Sequence, residues 1–377
     1  MKPISKPTIA IDGRNLMHPP SGNATYLICA LNELSAQQPE WKFYILTNRP
    51  LNPECEKQII KRTNIRILCK SFTRVGLLWY CTQLYFILKR LNPDFFWAPA
   101  TLLPPFIPSG VKTIVTVNDM VFKDYKHTVS LFNRLYSNVL FDRSILDADI
   151  LLAISNYTAN EIKNRYPRRR SREITIGCGV DRSLFRLVTH TPEQRAELCS
   201  EYGVTGPFIL FVGTVEPRKN LAFMMRLMQQ LAADGFTLLV VGAKGWGKSD
   251  IAAIMQQPDF PADKVVFAGY VPTNDLVRLY NLAAIYVSTS MNEGFGLPQL
   301  EAMNCGCPVV SPHNSAMIEV VDGAGMTVKG WDTATWCDTI LSVFNNNEYY
   351  RNLGLQKAKQ YNWPAVARTI IQILGRA

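Results

Sequence analysis

The densest chemical signal in the chain is MNEGFGLPQLEAMNCGCPVV, residues 291–310. Glu293 is followed by Gly294-Phe295-Gly296 and then by Leu297 and Pro298. Pro298 with QLEAM reads as a helix start, because a proline in the first turn lacks only a donor that is orphaned there anyway. The amides of Gly294 to Leu297 then point outward at a helix N-terminus, where the macrodipole favours an anion. Two glycines let a phosphate approach the backbone closely. Glu301, eight residues after Glu293, falls one turn into the helix, near the same pocket. A carboxylate that is neither metal ligand nor base suits the acceptance of hydrogen bonds from sugar hydroxyls, as with ribose. A capping glutamate before a core helix explains any one of these features, but not their combination.

A second signal is FVGTVEPRKNL, residues 211–221. A strand ends at Gly213-Thr214, and Arg218 and Lys219 follow in the loop entering the next helix. Two cations beside a glycine turn can hold a diphosphate and neutralise charge as it leaves. Arg-Lys pairs are commonly just solvated, but this one lies at a strand's carboxyl end, where α/β sheets bind ligands. No metal or other cofactor is expected. The formal D-x-D at Asp147-Ala148-Asp149 precedes a strand, the wrong end for a nucleotide, and reads as a solvated turn. His18, His127, His190 and His313 lack ligand spacing to one another, and H-E-x-x-H is absent. His313 with Asn314 and Ser315 is a candidate for lining the site, though a lone loop histidine is usually just exposed. The nine cysteines contain no C-x-x-C pair and read as reduced thiols of a cytoplasmic protein.

The elements that must position these residues alternate along the chain. Strand-like runs at 8–11, 41–46, 65–68, 112–117, 150–154 and 174–176 end in polar or glycine turns, with helical segments between. Ser155 is a candidate cap for the helix after the fifth of them. The same grammar returns at 208–212, 237–241, 265–267, 285–287 and 309–310. This is the pattern of α/β, doubly wound parallel sheets. It lapses from about 182 to 206, where HTPEQR and a short charged helix read as a linker. Two Rossmann-like domains facing a cleft are expected.

Composition agrees with that reading. A chain of 377 residues with 47% apolar content can bury two cores, which excludes disorder as its main theme. A net charge of +10 attracts anionic partners of some kind. The run KNRYPRRRSR, residues 163–172, holds six cations and no acid, but only Tyr166 among aromatics, so nucleic acid is not expected. It is either a solvated loop or a contact for anionic lipid headgroups. MKPISKPTIAIDGRN has no apolar core of a signal peptide. The longest apolar stretch, VGLLWYCTQLYFIL at 75–88, is too short to span a membrane and reads as a buried helix in preference to an interfacial one.

With FVGTVEPRKN, the VVFAGYVPTNDLVRLYNLAAIYVSTS run, and EGFGLPQLEAM with two glutamates eight apart, residues 208–310 resemble the C-terminal half of a retaining glycosyltransferase of family 4. DGRN at Asp12, SGNATYL around Gly22, AISNYTANEI, CGVD at Cys178 and the C-terminal YNWPAVARTI extend the resemblance over nearly the whole chain. The resemblance implies the GT-B fold: an acceptor-binding domain at 1–182, a linker at 183–206, a nucleotide-sugar domain at 207–360, and a helix at 361–377 packing back on the first domain. It implies that Arg218 and Lys219 bind the donor diphosphate and that Glu293 contacts the donor sugar hydroxyls. It further implies that Gly294, Phe295, Gly296 and Leu297 offer amides to sugar and phosphate. Glu301 would hold the ribose, Gly269, Tyr270 and Val271 would flank the base, and Gly22 would face the diphosphate from the opposite domain. Many relatives have His-Asp after a first-domain strand; here the pair is Asn118-Asp119. Asn takes up no proton, so Asp119 becomes the candidate for acceptor contact, or else a helix N-cap.

The implied reaction is metal-independent, retaining hexosyl transfer from a nucleoside diphosphate sugar to a glycan or undecaprenyl-diphosphate-linked acceptor. Front-face attack, with the leaving phosphate taking the acceptor's proton, is the preferred route. GDP-mannose, dTDP-rhamnose and UDP-hexoses are all donors of similar chains, with mannose or rhamnose favoured, in O-antigen or surface polysaccharide assembly. The expected location is cytoplasmic, peripheral on the inner face of the membrane. The competing reading is a non-catalytic membrane scaffold with a degenerate nucleotide-sugar cleft, which Asn118 keeps open.

Overall fold

The structure is a computed structural model; it describes residues 6–376 except 72, 74, 121–130, 244 and 246–249, with only the backbone of 131–137. His127 lies outside the described residues. The chain forms two compact units, Met1–Gly179 with Asn362–Ala377, and Val180–Tyr361.

The first unit is built on seven parallel strands: β1 (Thr8–Asp12), β2 (Lys42–Thr47), β3 (Ile65–Cys69), β4 (Phe95–Ala98), β5 (Lys112–Val117), β6 (Ile150–Ala153) and β7 (Glu173–Thr175). Their order is β3-β2-β1-β4-β5-β6-β7, so the winding reverses between β1 and β4. One face is covered by a helical run over 76–91 and by the helices Leu131–Asp147 and Asn156–Arg165. Trp79, Leu84, Leu88, Ile145 and Ile162 pack there with Phe96, Val115 and Leu151. Ser155 does cap the Asn156–Arg165 helix, accepting from the Thr158 amide at 3.0 Å. The C-terminal helix Trp363–Arg376 lies against the helix Gly22–Gln37 in this unit. There Trp363 meets Tyr26 edge-on at 5.7 Å, and a side chain at Gly179 would collide with the Trp363 backbone.

The second unit has six parallel strands: β8 (Phe208–Val212), β9 (Thr237–Val241), β10 (Val265–Gly269), β11 (Ile285–Val287), β12 (Val309–Pro312) and β13 (Met326–Val328). Their order is β10-β9-β8-β11-β12-β13, with the reversal between β8 and β11. Phe223, Met224, Leu227, Trp336 and Ile340 seal one face over Ile209, Val240 and Val287. Residues 183–206 fall within this unit and include the helix Pro192–Glu201, closed by a capping box of Thr191 and Gln194.

Two strands escape the sequence pattern. FFWA of β4 is wholly buried, so it shows no alternation, and it directly follows Pro93-Asp94. MTV of β13 is three residues long. Asp149 also differs from the solvated turn expected of it. Its Oδ2 accepts from the amide and hydroxyl of Thr113, both at 2.9 Å, and so ties the amino ends of β5 and β6 together.

Candidate functional site

In an open α/β sheet the loops leaving the strands on either side of the winding reversal diverge, which opens a crevice at their carboxyl ends. In the second unit those strands are β8 and β11, and both sequence signals emerge there. The chain leaves β8 through Gly213-Thr214, makes the short 3₁₀ turn Pro217–Lys219, and enters the next helix through Asn220. Asn220 has a left-handed backbone (φ 52°). Thr289, just past β11, donates to the carbonyls of Lys219 (2.9 Å) and Asn220 (3.0 Å) and holds this corner in place.

The charged side chains form one closed network. Arg218 donates through Nη1 to Glu293 Oε2 at 2.8 Å and to the Asn292 carbonyl at 2.8 Å. Its Nη2 donates to Glu216 Oε1 at 2.6 Å. Lys219 Nζ donates to Glu293 Oε1, and Ser290 Oγ donates to the same oxygen at 2.7 Å. The four charged side chains are only 11–14% exposed. Burial alone would raise the Glu293 carboxyl; Lys219 and Arg218, with the hydrogen bonds from Lys219 and Ser290, outweigh it and bring the pKa to about 2. Glu293 is therefore a fixed anion, a hydrogen-bond acceptor and not a proton donor. Its loop is braced from behind, since the Glu293 amide donates to Ser315 Oγ at 3.1 Å and Ser315 donates to Asn314 at 2.9 Å. His313 stays exposed, with Nδ1 2.9 Å from Thr327 Oγ1.

Three glycines at the ends of neighbouring strands make a rim. Gly213 (φ 150°), Gly242 (φ 146°) and Gly269 (φ 67°) follow or close β8, β9 and β10. The Gly213 amide donates to Val241 O at 2.9 Å and the Gly242 amide to Gly269 O at 2.7 Å, so the three turns lie side by side. A Cβ on Gly242 would fall on the Gly213 carbonyl oxygen. Gly242→Ala is expected to destabilise the second unit by roughly 3 kcal/mol or more, adding a strained backbone to an overlap of rigid main chain. Urea denaturation of the variant measures it, and an unchanged midpoint would contradict the packing described. Of the base-flanking candidates, Tyr270 is half exposed and Val271 is buried.

Gly296 (φ 109°) is the N-cap of the helix Leu297–Asn304, with Pro298 in its first turn. Phe295 packs edge-on against Tyr361 at 5.6 Å, so its side chain anchors the loop and only its backbone is available to a ligand. Glu301 lies on the second turn of this helix, where Tyr280 donates to it at 3.3 Å. Burial pushes its carboxyl up to about 8, and the Tyr280 hydrogen bond only partly opposes this. Burial raises the phenol of Tyr286 on β11 well above its usual range, and the charges of Glu293 and Glu301 add to the shift. The sequence reading missed Glu216, Ser290 and Gly242 as parts of this site, whereas Ser315, a candidate lining residue, does reach the Glu293 loop. Glu216 and Gly242 lie at strand ends beside assigned residues, whereas Ser290 carries no signal of its own.

Gly22, Asn118 and Asp119 belong to the first unit, at the carboxyl side of its own reversal. Gly22 opens its helix behind the cap Ser21. A cavity of about 190 Å³ is lined by Asn23, Thr101, Leu102, Asn118, Asp119 and Phe141, among others. Asn118 Nδ2 donates to Asn23 Oδ1 (2.8 Å) and to the Pro99 carbonyl (3.0 Å). Its buried Oδ1 has no hydrogen-bond partner among the described residues. The helix that Asp119 was a candidate to cap would fall at 121–130, outside the described residues.

Comparison with known proteins identifies the family of the chain. Residues 206–346 match the family described as Glycosyl transferases group 1, and residues 21–184 match Glycosyltransferase Family 4, together more than half of the chain. The chain belongs to these glycosyltransferases. It is 30% identical over 237 residues to O-antigen chain mannosyltransferase B of Escherichia coli, an alignment covering 60% of this chain and 61% of that protein. The chain thus matches somewhat under two thirds of that relative's length. Among solved structures, sucrose-phosphate synthase from Thermosynechococcus elongatus aligns with TM-score 0.75 at 18% identity, covering 98% of both chains. Anabaena HepE in complex with UDP and glucose aligns with TM-score 0.75 at 16% identity, covering 99% of this chain and all of that one. These likenesses show the fold, GT-B with its two parallel-sheet units.

Proposed function

We propose that this glycosyltransferase moves mannose, with retention, from GDP-mannose to a hydroxyl of a glycan or undecaprenyl-diphosphate-linked acceptor in O-antigen or surface polysaccharide assembly. The observation that carries this reading is the Arg218–Lys219–Glu293 network at the reversal between β8 and β11. The choice of mannose rests on the likeness to the Escherichia coli mannosyltransferase.

Each residue then has a task that its surroundings suit. The Lys219 ammonium has three N–H donors, and Glu293 takes one; the others serve the donor diphosphate with Arg218. The amides opening the Leu297–Asn304 helix add positive potential where the leaving group gathers charge. Glu293, held ionised, accepts hydrogen bonds from hydroxyls of the transferred sugar. With both its oxygens engaged by cations, it is a poor nucleophile, which favours attack on the face from which the diphosphate leaves. The acceptor oxygen bonds to the anomeric carbon as that carbon's bond to the phosphate oxygen breaks. The acceptor's proton passes to the departing phosphate. The cations, not a divalent ion, meet the charge. Asn118, a lining residue of the first-unit cavity whose buried Oδ1 has no partner among the described residues, can orient a hydroxyl but not move a proton, and Asp119 contacts the acceptor.

A thermal-shift panel of GDP-mannose, dTDP-rhamnose, UDP-glucose and UDP-N-acetylglucosamine tests the donor, because a ligand of the native state raises the melting temperature by mass action. GDP-mannose is expected to give the largest shift. A larger shift with dTDP-rhamnose or a UDP-sugar would overturn the donor assignment.

A further inference from the structure

The amino end of the second sheet carries a feature that chemistry at the carboxyl end leaves unused. A groove of about 640 Å³ is lined there by the helices Pro192–Glu201, Thr333–Asn345 and Asn347–Ala358 and by the turns that enter β8 and β11. The five residues of β8 span about 17 Å, so the groove is well apart from the Arg218 corner at the other end of the strand. Arg195 and Cys199 share one face of the first helix and form one wall. Phe344, Asn347 and Arg351 form another, above Pro207 and Ala284. The walls are fixed by their own hydrogen bonds. Asn347 Nδ2 donates to the Ala284 carbonyl at 2.9 Å, and Arg351 Nε donates to the Gly306 carbonyl at 3.1 Å. Asn281 accepts from the Val188 amide at 2.7 Å and donates to the Arg186 carbonyl at 3.0 Å, which ties down the segment leading to the first helix. These bonds leave the Nη donors of Arg351 and the Oδ1 acceptor of Asn347 for a ligand. Arg195 is exposed and enters no ion pair among the described residues, and no carboxylate among them lines the groove.

We propose that this groove binds a phosphate monoester carried on a ring, either a sugar phosphate or a nucleoside monophosphate. Two guanidiniums without a neighbouring carboxylate favour a doubly charged oxyanion, which their forked N–H groups meet in pairs. Half-buried Phe344, with Pro207, offers the ring an apolar face. Fixed, concave walls of this volume, mostly apolar with a few convergent polar groups, are the build of a small-molecule site. A peptide strand finds no edge to pair with here, because β8 and β11 are interior strands with neighbours on both sides. A second copy of the chain, itself at +10, brings no excess of acid to the two arginines. The bound phosphate joins the Pro192–Glu201 helix to the Asn347–Ala358 helix through Arg195 and Arg351. This site goes beyond the sugar-transfer reading and does not depend on it.

Cys199, half-buried in the groove wall, reports on occupancy from within. Its alkylation by iodoacetamide in the full chain, followed by peptide mass spectrometry, is expected to slow about fivefold or more with millimolar mannose 6-phosphate or AMP. Exposed Cys69 in the first unit is expected to keep its rate. Protection by mannose 6-phosphate alone assigns a sugar phosphate, by AMP alone a nucleotide, and by both the shared group. Inorganic phosphate, mannose and adenosine are each expected to protect far less. Arg195→Gln, at an exposed position, is expected to leave the circular dichroism unchanged and to require about tenfold more ester for the same protection. Unslowed alkylation with both esters overturns the proposal. So does equal protection by inorganic phosphate or by the unphosphorylated compounds, protection by polyglutamate in place of both esters, or protection undiminished in Arg195→Gln. Protection that is lost in Lys219→Met but kept in Arg195→Gln puts the ligand at the carboxyl-end site and overturns it as well.

Discussion

Lys219→Met and Glu293→Gln, made singly, are expected to reduce sugar transfer by about 10²–10³-fold and also to destabilise the second unit by roughly 3 kcal/mol. Together they are expected to restore much of the stability and none of the activity. Each single change leaves a buried charge short of its partner, and both changes leave a neutral pair of similar shape. A scaffold that merely keeps the network for stability would recover fully in the double variant. Urea denaturation and donor turnover on the same preparations separate the two roles. Acid adds an independent check. Because Glu293's folded pKa is lowered from 4.5 to about 2, its contribution is present above pH 4.5 and is lost as pH falls through about 2. The shift corresponds to about 3 kcal/mol that wild type loses in acid and Glu293→Gln does not.

Glu301→Gln is expected to do the reverse, gaining stability while losing donor affinity. Its carboxyl is raised from 4.5 to about 8, so the folded state resists ionisation that the unfolded chain undergoes freely. Stability is therefore full below pH 4.5 and declines as pH rises toward 8. Solvent reaches part of this side chain, and the penalty at pH 8 is roughly 2–4 kcal/mol after screening. Glutamine removes it. A ribose that donates hydrogen bonds to Glu301 favours the ionised carboxylate, so donor binding should release up to one proton near neutral pH and tighten as pH approaches 8. Calorimetry in buffers of different ionisation enthalpy counts that proton. Binding without proton release, at an affinity unchanged in Glu301→Gln, would remove Glu301 from the ribose.

The parts of this molecule that were legible beforehand are those where one residue type has few structural uses. Gly213 and Gly296 mark left-handed turns, Pro298 marks a helix's first turn, and apolar runs such as FILFV and TLLVV mark buried parallel strands, so the α/β class and the Glu293 loop could be read directly. What could not be read depends on contacts distant in sequence. Arg218 and Lys219 look like two uncompensated cations in the chain. Folding brings Glu293, about 75 residues later, against both of them and turns Glu216 back onto Arg218, so that the network is neutral. Thr289 braces it from another loop and shows no local pattern. The two faces of the 76–91 helical run also depend on which side of a near-continuous apolar stretch the sheet covers, and periodicity does not decide that.

Calorimetric titration of GDP-mannose into wild type, Arg218→Ala and Lys219→Ala, each with and without EDTA, tests most directly whether the corner after β8 holds the diphosphate. The account predicts that EDTA leaves wild-type affinity unchanged and that each variant binds at least about tenfold more weakly, as removal of a charged hydrogen-bond donor implies. Binding abolished by the chelator, or undiminished in both variants, would contradict it.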